Sequence, residues 1–219
     1  MRGFALYAAL AVALLAVDGP AQPLFTIARL QYGGGGDWYS DPSSLPNLLR
    51  FLREHTQIDA AETAARVQIM DEELFSYPYI YMTGHGNVVF SAEEATRLRH
   101  YLESGGFLHA DDNYGMDESF RRAMRQVFPN AEWVELPPEH PLFHCHFELP
   151  AGLPKVHEHD GKRPQALALF TGERLAVLYT YEADLGDGWE DPDVHSDPEG
   201  KRLDALKMGA NIAVWALSR

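Results

Sequence analysis

Apolar and polar positions along this chain repeat with two periods, and the periods mark out its elements. Residues 25–32 alternate and are rich in strand formers, then stop at the glycine run Gly33 to Gly36, which neither a strand nor a helix continues through. Leu45, Leu48, Leu49 and Leu52 recur at helical spacing behind Ser43 or Ser44, either of which can cap a helix that packs on the sheet. Residues 67–70 read as a second short strand, and residues 79–83 as a clearer one ending at Gly84-His85-Gly86. Ser91 with Glu94 makes a capping box, and Gly105 and Gly106 end the helix it starts. Residues 107–110 run as a strand into Asp111-Asp112, after which Asp117 caps a helix turning Phe120, Met124, Val127 and Phe128 inward. Residues 166–170 and 175–181, joined by Thr171-Gly172-Glu173-Arg174, read as a hairpin near an edge, and a last helix spans 201–217.

Strand and helix alternating in this way predict an α/β protein with right-handed crossovers and a largely parallel sheet covered on both faces. The first residues do not belong to that pattern. Arg2 precedes an apolar run at 4–17, which Asp18 and Pro20 interrupt before the small residues Gly19 and Ala21 complete a cleavage-type sequence. A spanning helix needs about 20 apolar residues, so residues 1–21 are expected to be a signal peptide, with an uncleaved anchor as the alternative. Residues 22–219 are then one exported domain, periplasmic or secreted, with no stable membrane span after cleavage.

Cys145 is the one cysteine, so no intramolecular disulfide can form and packing must hold the domain together. A formal net charge of −14 argues against a nucleic-acid partner, and no polybasic stretch suits anionic lipid. Asp184, Asp187, Glu190, Asp191, Asp193 and Asp197 follow one another without a Lys or Arg between them, which reads first as a solvated loop. They also offer hard oxygen ligands for calcium around Gly186 and Gly188, though not at EF-hand spacing. Trp189 stands out there, because an aromatic in so polar a stretch packs on something or meets a ligand.

In an open parallel sheet the loops leaving the carboxyl ends of strands line the ligand crevice. The residues after three successive strands are polar: Asp37-Trp38-Tyr39 behind the glycines, His85 between glycines, and Asp111, Asp112 and Asn113. The glycine run lacks the Lys-Ser or Lys-Thr of a nucleotide loop and reads as a tight turn that brings Trp38 and Tyr39 over the sheet edge, where they could stack on a sugar. His85 is a candidate general base or a turn residue. Asp111 and Asp112 are candidates for proton transfer, although neighbours on a strand point to opposite faces and do not make a dyad. His140 through His146 form a histidine-rich segment in which His144 and His146 share a face, a start for a zinc site that needs a third ligand; His157-Glu158-His159 follows. Isolated surface histidines are the alternative.

Ala28-Arg29-Leu30 with Tyr32 and Asp37-Trp38, Tyr77-Pro78 through Met82-Thr83-Gly84-His85-Gly86, Gly105-Gly106-Phe107-Leu108 with Asp111-Asp112, His140-Pro141-Leu142-Phe143-His144, Gly188-Trp189-Glu190 and Gly209-Ala210-Asn211-Ile212 occur in order over nearly the whole mature chain. In these motifs the chain resembles the bacterial domain-of-unknown-function family 4159. The resemblance implies a flavodoxin-like three-layer sandwich similar to class I glutamine amidotransferases, with no established activity. Glutamine hydrolysis needs a cysteine at a strand-to-helix elbow, and Cys145 between two histidines does not fit it.

The expectation is therefore a binding domain in which Asp37, Trp38, His85, Asp111, Asp112, His140 and Trp189 hold a small polar or carbohydrate-like ligand or a partner protein of the envelope. The alternative is a hydrolase acting on an envelope polymer or sugar through His85, Asp111 or Asp112, or through a metal at His144 and His146. An interaction subunit with a relic pocket is a third reading. No cofactor is expected apart from a divalent metal.

Overall fold

The computed structural model describes residues 24–218; the expected signal peptide lies outside the described residues. Seven strands form one sheet: β1 (Ala28–Leu30), β2 (Ala65–Val67), β3 (Tyr79–Met82), β4 (Phe107–Asp111), β5 (Val134–Glu135), β6 (Gln165–Thr171) and β7 (Arg174–Tyr181), in the order β2-β1-β3-β4-β7-β6-β5. The first five in that order run parallel, and β6 is antiparallel to both its neighbours. Six helices accompany them: α1 (Ser44–His55), α2 (Ala92–Glu103), α3 (Asp117–Val127), α4 (Leu185–Trp189), α5 (Pro192–His195) and α6 (Glu199–Ser218).

Period-2 alternation along the strands divides the core into two layers. Tyr79 and Tyr81 face a cluster holding Leu45, Leu48, Leu49 and Leu52 of α1 with Met208 and Ile212 of α6. Ile80 and Met82 face the other cluster, with Leu98 and Leu102 of α2 and Phe120, Met124 and Val127 of α3. Helices on both faces of a mostly parallel sheet make the arrangement compatible with a three-layer sandwich. The four α1 leucines are fully buried, each contributing about 1.5–3 kcal/mol of apolar transfer. The capping box forms as expected: Glu94 N–H donates to Ser91 Oγ and Ser91 N–H to Glu94 Oε2, at 3.1 and 2.7 Å.

Two expectations need correction, and the hairpin gains a pairing the sequence did not show. The second strand lies at Ala65–Val67, earlier than 67–70, because Gln68 N–H donates to the Asp71 carboxylate at 2.7 Å and closes a turn there. The hairpin of β6 and β7 lies near an edge as expected, with only two-residue β5 outside β6, and its inner strand β7 pairs in parallel with β4 in the middle of the sheet. The first half of the acidic stretch is not a solvated loop. Glu182, Asp184, Asp187 and Glu190 are buried around α4, whereas Asp191 and Asp193 at α5 are exposed.

Candidate functional site

β1 and β3 are neighbours whose onward connections lead to opposite sides, one to β2 and the other to β4, so the topological switch point falls between them. The loops after these strands meet there. Asp37 Oδ1 accepts the His85 backbone N–H at 2.6 Å, and Oδ2 lies 2.8 Å from His85 Nδ1. Burial works against the charge, but these bonds hold the Asp37 carboxyl below its ordinary range. Gly84, at φ +140°, has no room for a side chain, since a Cβ would lie 2.3 Å from the Tyr32 hydroxyl. Trp38 packs edge-on to Tyr39 with centroids 5.6 Å apart, and the Arg66 guanidinium lies 5.9 Å from its ring.

Asp111, the last residue of β4, points into the layer of α1 and α6 and is fully buried. Thr180 Oγ donates to its Oδ1 at 2.5 Å, and the Gly186 N–H and the Tyr81 hydroxyl donate to Oδ2 at 2.6 and 3.3 Å. Behind Thr180 stands His109, whose Nε2 lies 2.9 Å from the Thr180 hydroxyl and whose Nδ1 lies 2.9 Å from the Tyr79 hydroxyl. If Thr180 donates to the carboxylate, His109 donates from Nε2 and accepts from Tyr79 at Nδ1, so the chain has one direction. Burial pushes His109 down to about 3 and keeps it neutral. Burial, then the nearby Asp184 charge, pushes Asp111 up to about 7.

The segment leaving β7 carries the densest polar chemistry. Asp184 Oδ2 is 3.0 Å from both His157 Nδ1 and His159 Nε2, and Asp187 Oδ2 is 2.8 Å from His157 Nδ1. His195 Nε2 lies 3.4 Å from Asp187 Oδ1 and 3.2 Å from Glu190 Oε2. Burial, then Asp184 and Asp41, drives the Asp187 carboxyl far above its usual range; Asp184, despite its burial, is held low by hydrogen bonds from His157 and His159. Asp41 joins this group from the loop after β1, its carboxylate accepting from the Asn113 amide at 2.9 and 3.0 Å. Arg29 fixes that loop by donating to the carbonyls of Ser40 and Asp41 at 2.5 and 2.9 Å. The start of α1 clasps the other side: Ser43 donates from N–H and hydroxyl to Glu190, each at 3.1 Å, and the Asn47 amide donates to the Trp189 carbonyl at 2.9 Å.

Asp112 faces away from Asp111, as adjacent strand residues must, and accepts the Met116 N–H at 3.3 Å. It lines a cavity of about 320 Å³ at the ends of β4 and β7, with Tyr114, Asp160, Lys162, Tyr181 and Glu182 among the walls. Burial, offset by the Met116 hydrogen bond, pushes Asp112 up to about 6. Tyr114 stacks on His159 with centroids 5.1 Å apart, which joins this cavity to the histidine–carboxylate group. Among the described residues, the non-glycine residues at positive φ are Asp41, Tyr114, Glu182, Asp184 and Ser196. All five lie in or beside these two groups. Such conformations cost about 1–3 kcal/mol each and persist where the surrounding structure imposes them.

The structure thus brings Asp37 and His85 together beside Trp38, puts Asp112 on a cavity wall and buries Asp111 on the opposite face of the sheet. The His85 backbone meets Gly115 of the cavity wall, where a Cβ would sit 2.8 Å from the His85 carbonyl oxygen. The other candidates lie elsewhere. His140 accepts the Leu142 N–H at 3.2 Å and packs on Trp215. His144 is engaged by Glu148 and the Pro138 carbonyl, and His146 Nε2 by the carbonyl of His55 at 2.8 Å, so the two rings do not converge. His55 ends α1, about 17 Å from the helix start that touches Glu190. Trp189 is core: fully buried against Tyr81, it donates Nε1–H to the Ala205 carbonyl at 2.8 Å. Cys145 Sγ lies 3.4 Å from the Asn211 carbonyl oxygen on α6.

Asp41, Thr180, His109, His195 and Glu182 had no motif to single them out. For Glu182 and His195 the legible signal is position: β7 is a central parallel strand, so residues after it belong to the crevice by the same rule that picked out Asp37, His85 and Asp111, and Asp41 follows β1 in the same way, whereas His109 and Thr180 lie inside strands and carry no such signal. Residues 26–217 match the model of a family described as domain of unknown function (DUF4159). No curated protein matches the chain.

Proposed function

The chain belongs to the DUF4159 family, and from that premise we propose that it is an exported, periplasmic or secreted, domain that binds a small polar, carbohydrate-like ligand at the carboxyl ends of β4 and β7. The observation that carries this reading is Tyr114, held at φ +82° and stacked on His159, its ring exposed over a cavity walled by Asp112, Asp160, Lys162 and Glu182. Sugars are recognised by that combination. An aromatic face takes the C–H surface of the ring, while carboxylates and an amine take its hydroxyls. A second aromatic wall, Tyr181, holds Lys162 Nζ 3.0 Å from its hydroxyl. A loop of an envelope partner protein presenting the same groups is the variant of this reading.

The parallel order β2-β1-β3-β4-β7 also supports a flavodoxin-like, amidotransferase-related sandwich, since it reproduces the 2-1-3-4-5 order with β7 as the fifth parallel strand. A second functional reading, a metal- or His/Asp-dependent hydrolase of an envelope polymer or sugar, is favoured by Asp112. It lines the cavity and is pushed up to about 6, the range a general acid uses near neutral pH.

Calorimetric titration with a panel of neutral and amino monosaccharides and their short oligomers tests the proposal, with Tyr114→Ala and Asp112→Asn as controls. At least one class of sugar is expected to bind, with a loss of roughly tenfold or more in each variant, as one good contact is worth. Binding that survives both substitutions, or no binding across the panel, defeats it. Release of reducing ends from envelope polysaccharide, abolished in Asp112→Asn, would select the hydrolase.

A further inference from the structure

We propose that His157, His195 and Asp187, with Asp184 as a fourth ligand, form a binding site for one divalent first-row transition-metal ion. This goes beyond the sugar reading and does not depend on it. The three leading residues come from two distant segments, the loop before β6 and the turns after β7, yet each offers a ligand atom and these atoms all lie within 4.8 Å of one another. Two of their separations have the size of ligand–ligand spacings. Two ligands held 2.0–2.1 Å from one ion are about 2.8–3.4 Å apart at octahedral or tetrahedral angles, against 2.8 Å for His157 Nδ1 to Asp187 Oδ2 and 3.4 Å for His195 Nε2 to Oδ1, the other oxygen of the same carboxylate.

The independent sign is Asp184. It is 1% exposed, its Oδ2 is shared by His157 and His159, and its Oδ1 is buried without any hydrogen-bond partner. A buried carboxylate oxygen left bare is costly, and a cation is the group that satisfies it. Among the described residues, the ion pairs of Asp184, Asp187 and Glu190 are all with histidine and none with Lys or Arg. The backbone at Asp184 is also held at φ +57°, so the fold spends conformational energy to place this carboxylate.

The histidine orientation fits the same assignment. His157 Nε2 is 3.0 Å from Asp197 Oδ2, so the ring donates outward to a carboxylate and turns Nδ1 toward Asp184 and Asp187. A carboxylate behind a ligating imidazole is the usual support of a metal-bound histidine. In a neutral ring so placed the Nδ1 lone pair would oppose the anionic Asp184 oxygen 3.0 Å away; a proton or a metal ion removes that conflict, and the metal takes the proton's position. Two imidazoles with carboxylates select zinc-like or iron-like ions over calcium, which takes all-oxygen shells. Partial exposure of His157 and His195, with side chains 26% and 29% accessible, leaves an approach from solvent and space for a water ligand.

The test uses the full mature chain, stripped with chelator and dialysed against Zn²⁺, Mn²⁺, Co²⁺ or Ca²⁺ separately, with bound metal counted by mass spectrometry. One equivalent of zinc or cobalt is expected, with the visible absorption of cobalt bound to nitrogen and oxygen ligands and a raised melting temperature. His195→Ala, on exposed α5, and His157→Ala should each weaken binding by 10-fold or more, whereas His144→Ala and His146→Ala should leave it unchanged. Circular dichroism on each variant separates loss of the site from loss of the fold, and His195 sits on α5, which has no buried residue, so that variant stays informative. No retained transition metal, retention undiminished in both His157→Ala and His195→Ala, or calcium bound as tightly as zinc would each overturn the assignment. Because sugar titration reads Tyr114 and Asp112 instead, failure of one proposal is distinguishable from failure of the other.

Discussion

Replacing Asp111 by asparagine is expected to reverse its own effect on stability between acid and mildly alkaline pH. The carboxyl is fully buried at the end of β4, and burial followed by the Asp184 charge raises it from 3.8 to about 7. Between those two values the folded protein keeps a proton that the unfolded chain has released. The unfolded state therefore binds fewer protons, and stability falls as pH rises through this window. Roughly three pH units at 1.36 kcal/mol each make the loss about 4 kcal/mol, complete just above pH 7. Asparagine removes the titration but not the shape. One of its two polar atoms becomes a donor, and facing the Gly186 N–H that now lies 2.6 Å from Oδ2 it should cost about 1–3 kcal/mol at every pH. At pH 4 the variant is then less stable than the parent by that amount, and by pH 8 it is equal or more stable. Urea denaturation followed by tryptophan fluorescence from pH 4 to pH 8, with chelator present, measures the difference. A stability difference constant to within about 1 kcal/mol over that range would refute the reasoning.

His109→Gln should show the opposite slope. Burial lowers His109 to about 3, so the stability it contributes is present above pH 6.5, is lost as pH falls toward 3, and the variant should lose less stability in acid by the same denaturation assay. Gly209→Ala should destabilise by about 1–3 kcal/mol, because its Cβ would lie 2.7 Å from Leu48 Cδ1 and 2.9 Å from the Trp189 ring; an unchanged melting temperature would contradict that packing. Ser91→Ala should cost about 1 kcal/mol and Ser91→Gly only a few tenths, since both remove the hydroxyl that caps the Glu94 N–H but glycine leaves that N–H open to water; a melting temperature unchanged from the parent in Ser91→Ala would count against the capping box.

The elements readable from sequence were those whose signal is local. The α1 leucines repeat at helical spacing and are all fully buried, and Ser91-Ala92-Glu93-Glu94 builds its capping box from four consecutive residues. Where a strand is placed by its neighbours, sequence said less. β5 is two residues long, with no period to detect, and exists because Val134 and Glu135 pair with Ala168 and Leu167. β7 was legible as a strand, but its parallel pairing with β4 depends on a chain segment some 70 residues away, which the tight turn to β6 gives no hint of.

That one unread pairing accounts for most of what was missed in the site. With β7 read only as half of a hairpin and not as a partner of β4, the residues after it had no claim on the crevice, and a run of carboxylates free of Lys and Arg read as solvated. Charge composition measures what a segment would prefer alone; burial is decided by what reaches it. Glu190 is met by Ser43 from 147 positions away, Asp184 by His157 from 27, and Asp111 takes the Gly186 N–H from 75. A buried carboxylate is tolerable when such partners neutralise or hydrogen-bond it, and residues 182–199 bring only His195 to Asp187 and Glu190, leaving the rest to distant segments. Asp37 and His85 were found because a strand end can be recognised from its own sequence, whereas the Asp184 group becomes visible only once β7 stands beside β4. The same reasoning separates the two histidine groups. His144 and His146 are close in sequence and bind different partners, while His157 and His195 are 38 residues apart and converge on Asp187.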